Sequence, residues 1–168
     1  IFLISDSKVF ASETINLINE LENSNIKCES LSIDINEAKK NLDTCAYIYD
    51  WLLNAGSERN SILISIGGGV TTDIVGFVAS SWLRGLNVIH FPTSLAAMVD
   101  ASIGGKTGVN FKHGKNLIGA FKQPLLIAMD TKSLVTLKER ELNSGWAEAI
   151  KHAFLFDQGL LKKFQMQS

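Results

Sequence analysis

Over the first ninety residues the apolar positions fall into short, mostly uninterrupted runs separated by longer stretches at helical spacing. The runs at residues 1–5 (IFLIS), 61–66 (SILISI) and 87–91 (NVIHF) are apolar nearly throughout, as a parallel strand buried on both faces must be. A fourth run, residues 31–35 (LSIDI), alternates and reads as a short strand. Residues 13–22 and 38–53 carry the spacing of helices packed on one side. This alternation predicts an α/β fold, a Rossmann-like, mainly parallel sheet with flanking helices.

Two of these strands end in chain-turning residues. The 61–66 strand runs directly into Gly67-Gly68-Gly69, and Pro92 stops the 87–91 strand. Ligands of open α/β sheets bind at the carboxyl ends of strands, where loops and helix amino termini converge. Residues 100–119 hold too many glycines for a helix interior and too few for a free linker, so an ordered functional loop is expected. From Lys138 the pattern turns helical, with Ala147, Ile150, Ala153 and Phe154 forming one apolar stripe. These features divide the chain into an α/β domain, 1–137, and the start of an all-α domain, 138–168.

Composition narrows the ligand class. Of 168 residues, 46% are hydrophobic and 20% charged, which fits a folded globular body. A net charge of -1 supplies no basic field for nucleic acid or anionic lipid, so small molecules are the expected ligands. Cys28 and Cys45 have neither metal-site nor disulfide-framework spacing and read as reduced thiols. No apolar run reaches the roughly 18 residues of a membrane span, and no signal peptide opens the chain, so a cytoplasmic location is expected. Because Ile1 already belongs to a strand, the natural start is expected upstream.

Three segments carry candidate chemistry. The turn GGGVTTD, residues 67–73, can bring backbone N–H groups close to a pyrophosphate, or it can be simply a tight turn. Asp73 is equally at home as an ordinary carboxylate favoured by a helix dipole. In DASIGGKTGVNFKHGKN, residues 100–116, Asp100, Lys106, Lys115 and Asn116 stand among glycines. They could gather around a polyoxygenated anion, with lysine as a mobile charge for phosphate, or form a solvated loop. The P-loop pattern fails here, since position 100, where GxxxxGK[ST] needs glycine, is aspartate. Further on, Glu148, Lys151 and His152 share one helix face, as a surface ion pair or as part of a metal site. His90 and His113 are isolated in sequence.

Taken in order, GGGVTTDIVGF, WLRG, FPTSLAAMVDASIGGKTGVN, GKNLIGAF, TLKERE and GWAEAIKH resemble 3-dehydroquinate synthase, from residue 36 to 151. The resemblance implies NAD contacts from Glu37, Lys40, Gly69, Asp73, Thr93, Ser94 and Thr136, with Lys106 and Lys115 approaching the cofactor. It implies a substrate pocket of Asp100, Lys106, Asn116 and Lys151, with Arg84 reaching the phosphate across a homodimer interface. Glu148 is implied as a ligand of a divalent metal, zinc or cobalt, whose two histidine partners are expected beyond Ser168.

The reaction so implied belongs to the shikimate pathway and converts a seven-carbon sugar-acid phosphate to 3-dehydroquinate and phosphate. It proceeds by transient oxidation, elimination, reduction and aldol closure. The alternatives are another sugar-phosphate cyclase and an NAD-binding module without turnover. Glycerol-dehydrogenase-like enzymes are disfavoured by DASIGGKT followed by GKN. Asn36, Thr72, Ser94 and Lys138 depart from the family pattern, and Thr72 is expected to crowd the cofactor.

Overall fold

The computed structural model describes residues 1–166. Five parallel strands form the sheet: β1 (Phe2–Asp6), β2 (Glu29–Ile33), β3 (Ile62–Gly67), β4 (Asn87–Pro92) and the short β7 (Leu126–Ile127). Their order is β2-β1-β3-β4-β7. The expected α/β fold is therefore the one formed. The direction of winding reverses between β1 and β3, which places a crevice outside the carboxyl ends of those two strands.

Alternation along each strand feeds two apolar layers. Ile4, Leu63 and Val88 face α2 (Leu42–Asn54) and α3 (Gly69–Ser81), where Ile48, Leu52, Ile74 and Val78 are fully buried. On the opposite face Leu3, Ile64 and Ile66 meet Leu17, Ile18 and Leu21 of α1 (Ile15–Asn23). A single π-helical turn, Phe10–Thr14, precedes α1.

The predicted helix over 38–53 is broken near its start. Asn36 accepts hydrogen bonds from the N–H groups of Ala38 and Lys39, capping the 3-10 turn Glu37–Lys39, and Asn41 caps α2 through Thr44 N–H. Two caps five residues apart force a break between them. Lys40 lies in that break with its side chain turned inward and only 5% of the residue exposed.

The segment expected to be a functional loop over 100–119 is instead a π-helical turn, Ala97–Ala101, followed by an antiparallel hairpin of β5 (Lys106–Phe111) and β6 (Gly114–Phe121). Its glycines serve close backbone approach: a Cβ on Gly119 would lie 2.3 Å from the Thr107 carbonyl oxygen. The hairpin lies on α3, with Thr107 against Gly76.

Helices α4 (Glu139–Phe156) and α5 (Gln158–Gln165) fill the predicted helical region. Of the expected stripe only Ala153 is buried, while Ala147, Ile150 and Phe154 are exposed. Spacing sets which residues share a face, but a neighbouring body is needed to bury it. Here α4 rests on Leu95 and Ala96 through Gly145. No helix among the described residues is long and apolar enough to cross a membrane.

Candidate functional site

Two cavities open at the carboxyl edge of the sheet. The first, about 640 Å³, lies at the β1/β3 reversal. Gly68 and Gly69 at the start of α3 form part of its wall, and no side chain caps that helix amino terminus. Gly67 has φ +157°, and a Cβ there would meet Thr71 Oγ1 at 2.4 Å, so the turn is open only to glycine. The Thr71 hydroxyl at this cavity is buried without a hydrogen-bond partner. A helix start with open N–H groups and no side chain in the way suits a phosphate. Glu37, Gly69, Thr93, Ser94 and Thr136 all line this cavity.

The second cavity, about 670 Å³, is walled by the hairpin and the first turns of α3, and is lined by Asp73, Asp100, Lys106 and Asn116. Asp73 and Lys106 therefore lie here rather than at the glycine turn. Beneath them Lys40 Nζ donates to Asp73 Oδ2 at 2.5 Å and to Asn116 Oδ1 at 2.5 Å. Burial pushes the Asp73 carboxyl above the ordinary range, opposed by the Lys40 ammonium. Lys115 is exposed and reaches Glu37 Oε1 at 3.4 Å. The Asn110 hydrogen bond comes first among the influences holding Glu37 below the ordinary carboxylate range, with Lys115 and Lys40 contributing against a counteracting loss of hydration.

On α4, Glu148 and Lys151 form an ion pair. The Glu148 carboxylate, helped by Asp100, holds the Lys151 ammonium above its ordinary pKa. His152 Nε2 lies 3.5 Å from Asp100 Oδ1 and is a buried nitrogen with no hydrogen-bond partner. Asp100, Glu148 and His152 each offer a ligand atom, all within 4.8 Å of one another. Two carboxylates and an imidazole whose Nε2 lacks a hydrogen-bond partner fit a divalent cation. Besides Glu148, this chain thus brings two further potential ligand groups to the same place: the π-helical turn carries Asp100 across to α4, a meeting invisible in sequence spacing.

Four further placements bear on the site. Arg84 lies outside both cavities, exposed at φ +72° beyond the far end of α3, which is about 20 Å long. Thr72 does not face the glycine cleft. It is 1% exposed and its hydroxyl bonds the Gly69 carbonyl at 3.0 Å, so crowding of a ligand there is not found. His90 is not isolated in space: its Nδ1 lies 2.6 Å from Ser65 Oγ across neighbouring strands. Asn110, which no sequence motif singles out, bonds both Glu37 and the Asn116 backbone.

A reversed-order parallel sheet with a glycine turn at its switch point defines a doubly wound α/β protein of the nucleotide-binding type. Residues 30–144 match the family model described as 3-dehydroquinate synthase N-terminal, and the chain belongs to that family. It is 48% identical over 167 residues to the 3-dehydroquinate synthase of Crocosphaera subtropica, covering 99% of this chain and 46% of that protein. It is 49% identical over 148 residues to that of a Synechococcus species, covering 88% of this chain and 40% of the relative.

Among solved structures it is similar to the 2-epi-5-epi-valiolone synthase of Streptomyces hygroscopicus, described with NAD+ and Zn2+ bound. That match has a TM-score of 0.88 at 34% identity and covers 94% of this chain and 44% of the other. A 2-deoxy-scyllo-inosose synthase complexed with carbaglucose-6-phosphate, NAD+ and Co2+ matches with a TM-score of 0.84 at 28% identity, over 90% of this chain and 42% of that one. The chain spans a little under half the length of the proteins it matches.

Proposed function

We propose that this chain is the NAD-binding part of a 3-dehydroquinate synthase and contributes most of the substrate pocket and part of the metal site. The observation that carries this reading is a sorting of residues. Five positions assigned to the cofactor by resemblance line the cavity at the glycine turn, and Asp100, Lys106 and Asn116 line the other. Lys138, Glu141 and Ser144 close the first cavity, and His152 of α4 reaches Asp100 beside the second, which supports reading the chain from Lys138 as the start of a helical domain.

Bound NAD would supply a reversible acceptor for the hydride of a ring C–H(OH) carbon, whose hydroxyl loses the proton, and because that hydride returns after phosphate has left the overall reaction would have no net redox change. A divalent cation, when bound, makes a substrate hydroxyl more acidic. The remaining work belongs to the chain. The start of α3 holds the pyrophosphate, and Glu37 accepts from ribose hydroxyls. Asp100 and Asn116 orient substrate hydroxyls, while Lys106 and Lys151 hold the anionic groups. Lys151 now neutralises Glu148. A cation at Glu148, with His152 and Asp100 in reach, would release that ammonium toward the substrate. Arg84 cannot serve the pocket of its own chain from its position and would serve that of a second copy, in a homodimer.

Phosphate release from the seven-carbon sugar-acid phosphate, by the polypeptide carrying this chain with NAD and zinc, tests the reading. Turnover is expected, and Lys106→Ala should lower kcat/KM by at least about 100-fold. NAD binding without phosphate release from this substrate, combined with turnover of another sugar phosphate, would assign a different cyclase.

A further inference from the structure

Asn110 lies at the one irregularity of the hairpin, where the β5–β6 register shifts between Val109 and Phe111. A bulge turns a side chain away from the direction the strand pleat would give it. The half-buried Asn110 makes three directed contacts. Its Nδ2 donates to Glu37 Oε1 at 3.0 Å, its Oδ1 accepts from Asn116 N–H at 2.8 Å, and its own N–H donates to the Lys40 carbonyl at 2.8 Å. Asn116 needs such support, because its φ of +53° lies in the left-handed region. In that conformation its Oδ1 accepts from Lys40, which in turn bonds Asp73.

We infer that Asn110 is the positioning residue that couples the two cavities, fixing Glu37 at the mouth of the dinucleotide cleft and Asn116 in the substrate pocket through one amide. The inference rests on the NAD-binding reading above. Each half of the amide has one partner: the NH2 group faces the cofactor side and the carbonyl the substrate side. No other residue type of this size offers a donor and an acceptor together in one planar fork.

The isosteric Asn110→Asp variant separates these halves. It keeps the acceptor for Asn116 N–H but sets a carboxylate oxygen where a donor faced Glu37. Two carboxylates at hydrogen-bond distance cannot both ionise freely, and at lower pH they share a proton that restores a donor between them.

NAD titrations of the full chain from pH 8 to pH 5 read this out. For the wild type, affinity should vary little with pH from this contact. Asn110→Asp should bind roughly five- to tenfold more weakly at pH 8 and regain most of the loss by pH 5. Asn110→Ala should bind roughly threefold to tenfold more weakly at every pH. Circular dichroism verifies that the variants fold, and the recovery within one variant is internal to that protein.

A loss in Asn110→Asp that does not depend on pH, or an affinity equal to wild type throughout, would overturn the coupling and leave NAD binding intact. If the wild type itself bound no NAD, the proposed function and the inference would fall together.

Discussion

Lys40 and Asp73 meet at 2.5 Å under the second cavity, with the lysine side chain 6% exposed and the aspartate 19%. Removing a charged pair from water is costly, so such a pair is kept for position more than for stability. Here it joins the break before α2 to the first turns of α3, and through Asn116 it reaches the hairpin.

Lys40→Met should be more damaging than the pair's own worth suggests. It strands a buried carboxylate and should cost about 3 kcal/mol of stability. Since burial already raises the Asp73 pKa, the loss should shrink on mild acidification as that carboxyl takes a proton. Adding Asp73→Asn should recover much of it. Urea unfolding at pH 8 and pH 5 measures all three effects, and equal losses in the single and double variants would contradict them.

Gly119→Ala tests the hairpin. Its Cβ would meet the Thr107 carbonyl oxygen at 2.3 Å, a backbone atom that cannot swing away. A stability loss of about 2 kcal/mol is expected, read as a lower Tm. An unchanged Tm would mean that the strands do not cross so closely.

Thr72→Gly should leave NAD affinity unchanged, because the hydroxyl turns to the Gly69 carbonyl and away from the cleft. It should still lower stability by about 1 kcal/mol, through glycine's cost inside a helix. Calorimetry and thermal unfolding on one preparation separate the two effects; tighter binding of NAD would restore the idea that Thr72 crowds the turn.

The sheet was legible because a strand buried on both faces announces itself as a continuous apolar run, and residues 1–5, 61–66 and 87–91 all do. The hairpin was not, because Gly108 and Gly119 read as breakers when considered locally, whereas their job is to let two backbones touch. Helical spacing identified α4 but overstated its burial at Ile150 and Phe154, 46% and 65% exposed. In the candidate site, Asp100, Lys106 and Asn116 could be named from polar groups set among glycines. Asn110 could not, since its role depends on a bulge; helical spacing paired His152 with Glu148, but its approach to Asp100 depends on α4 lying across the π-helical turn.

His90 gives the fold an acid limit. Burial lowers its pKa from 6.5 to about 4. Between those values the unfolded chain binds the proton more readily than the folded one, so the neutral imidazole's contribution is complete above about pH 7. It drains away as pH falls toward 4, by at most about 3 kcal/mol. His90→Asn should flatten that part of the stability profile. An identical acid slope in the variant would place the titrating group elsewhere.

NAD is proposed to occupy the cavity at the Gly67–Gly69 turn. Isothermal titration of NAD into the chain tests it most directly. Saturable binding at one site per chain is expected, weakened at least about tenfold by Gly69→Asp, which sets a negative charge at the helix start that would hold the phosphate. Absence of binding, or binding indifferent to that substitution, would contradict it.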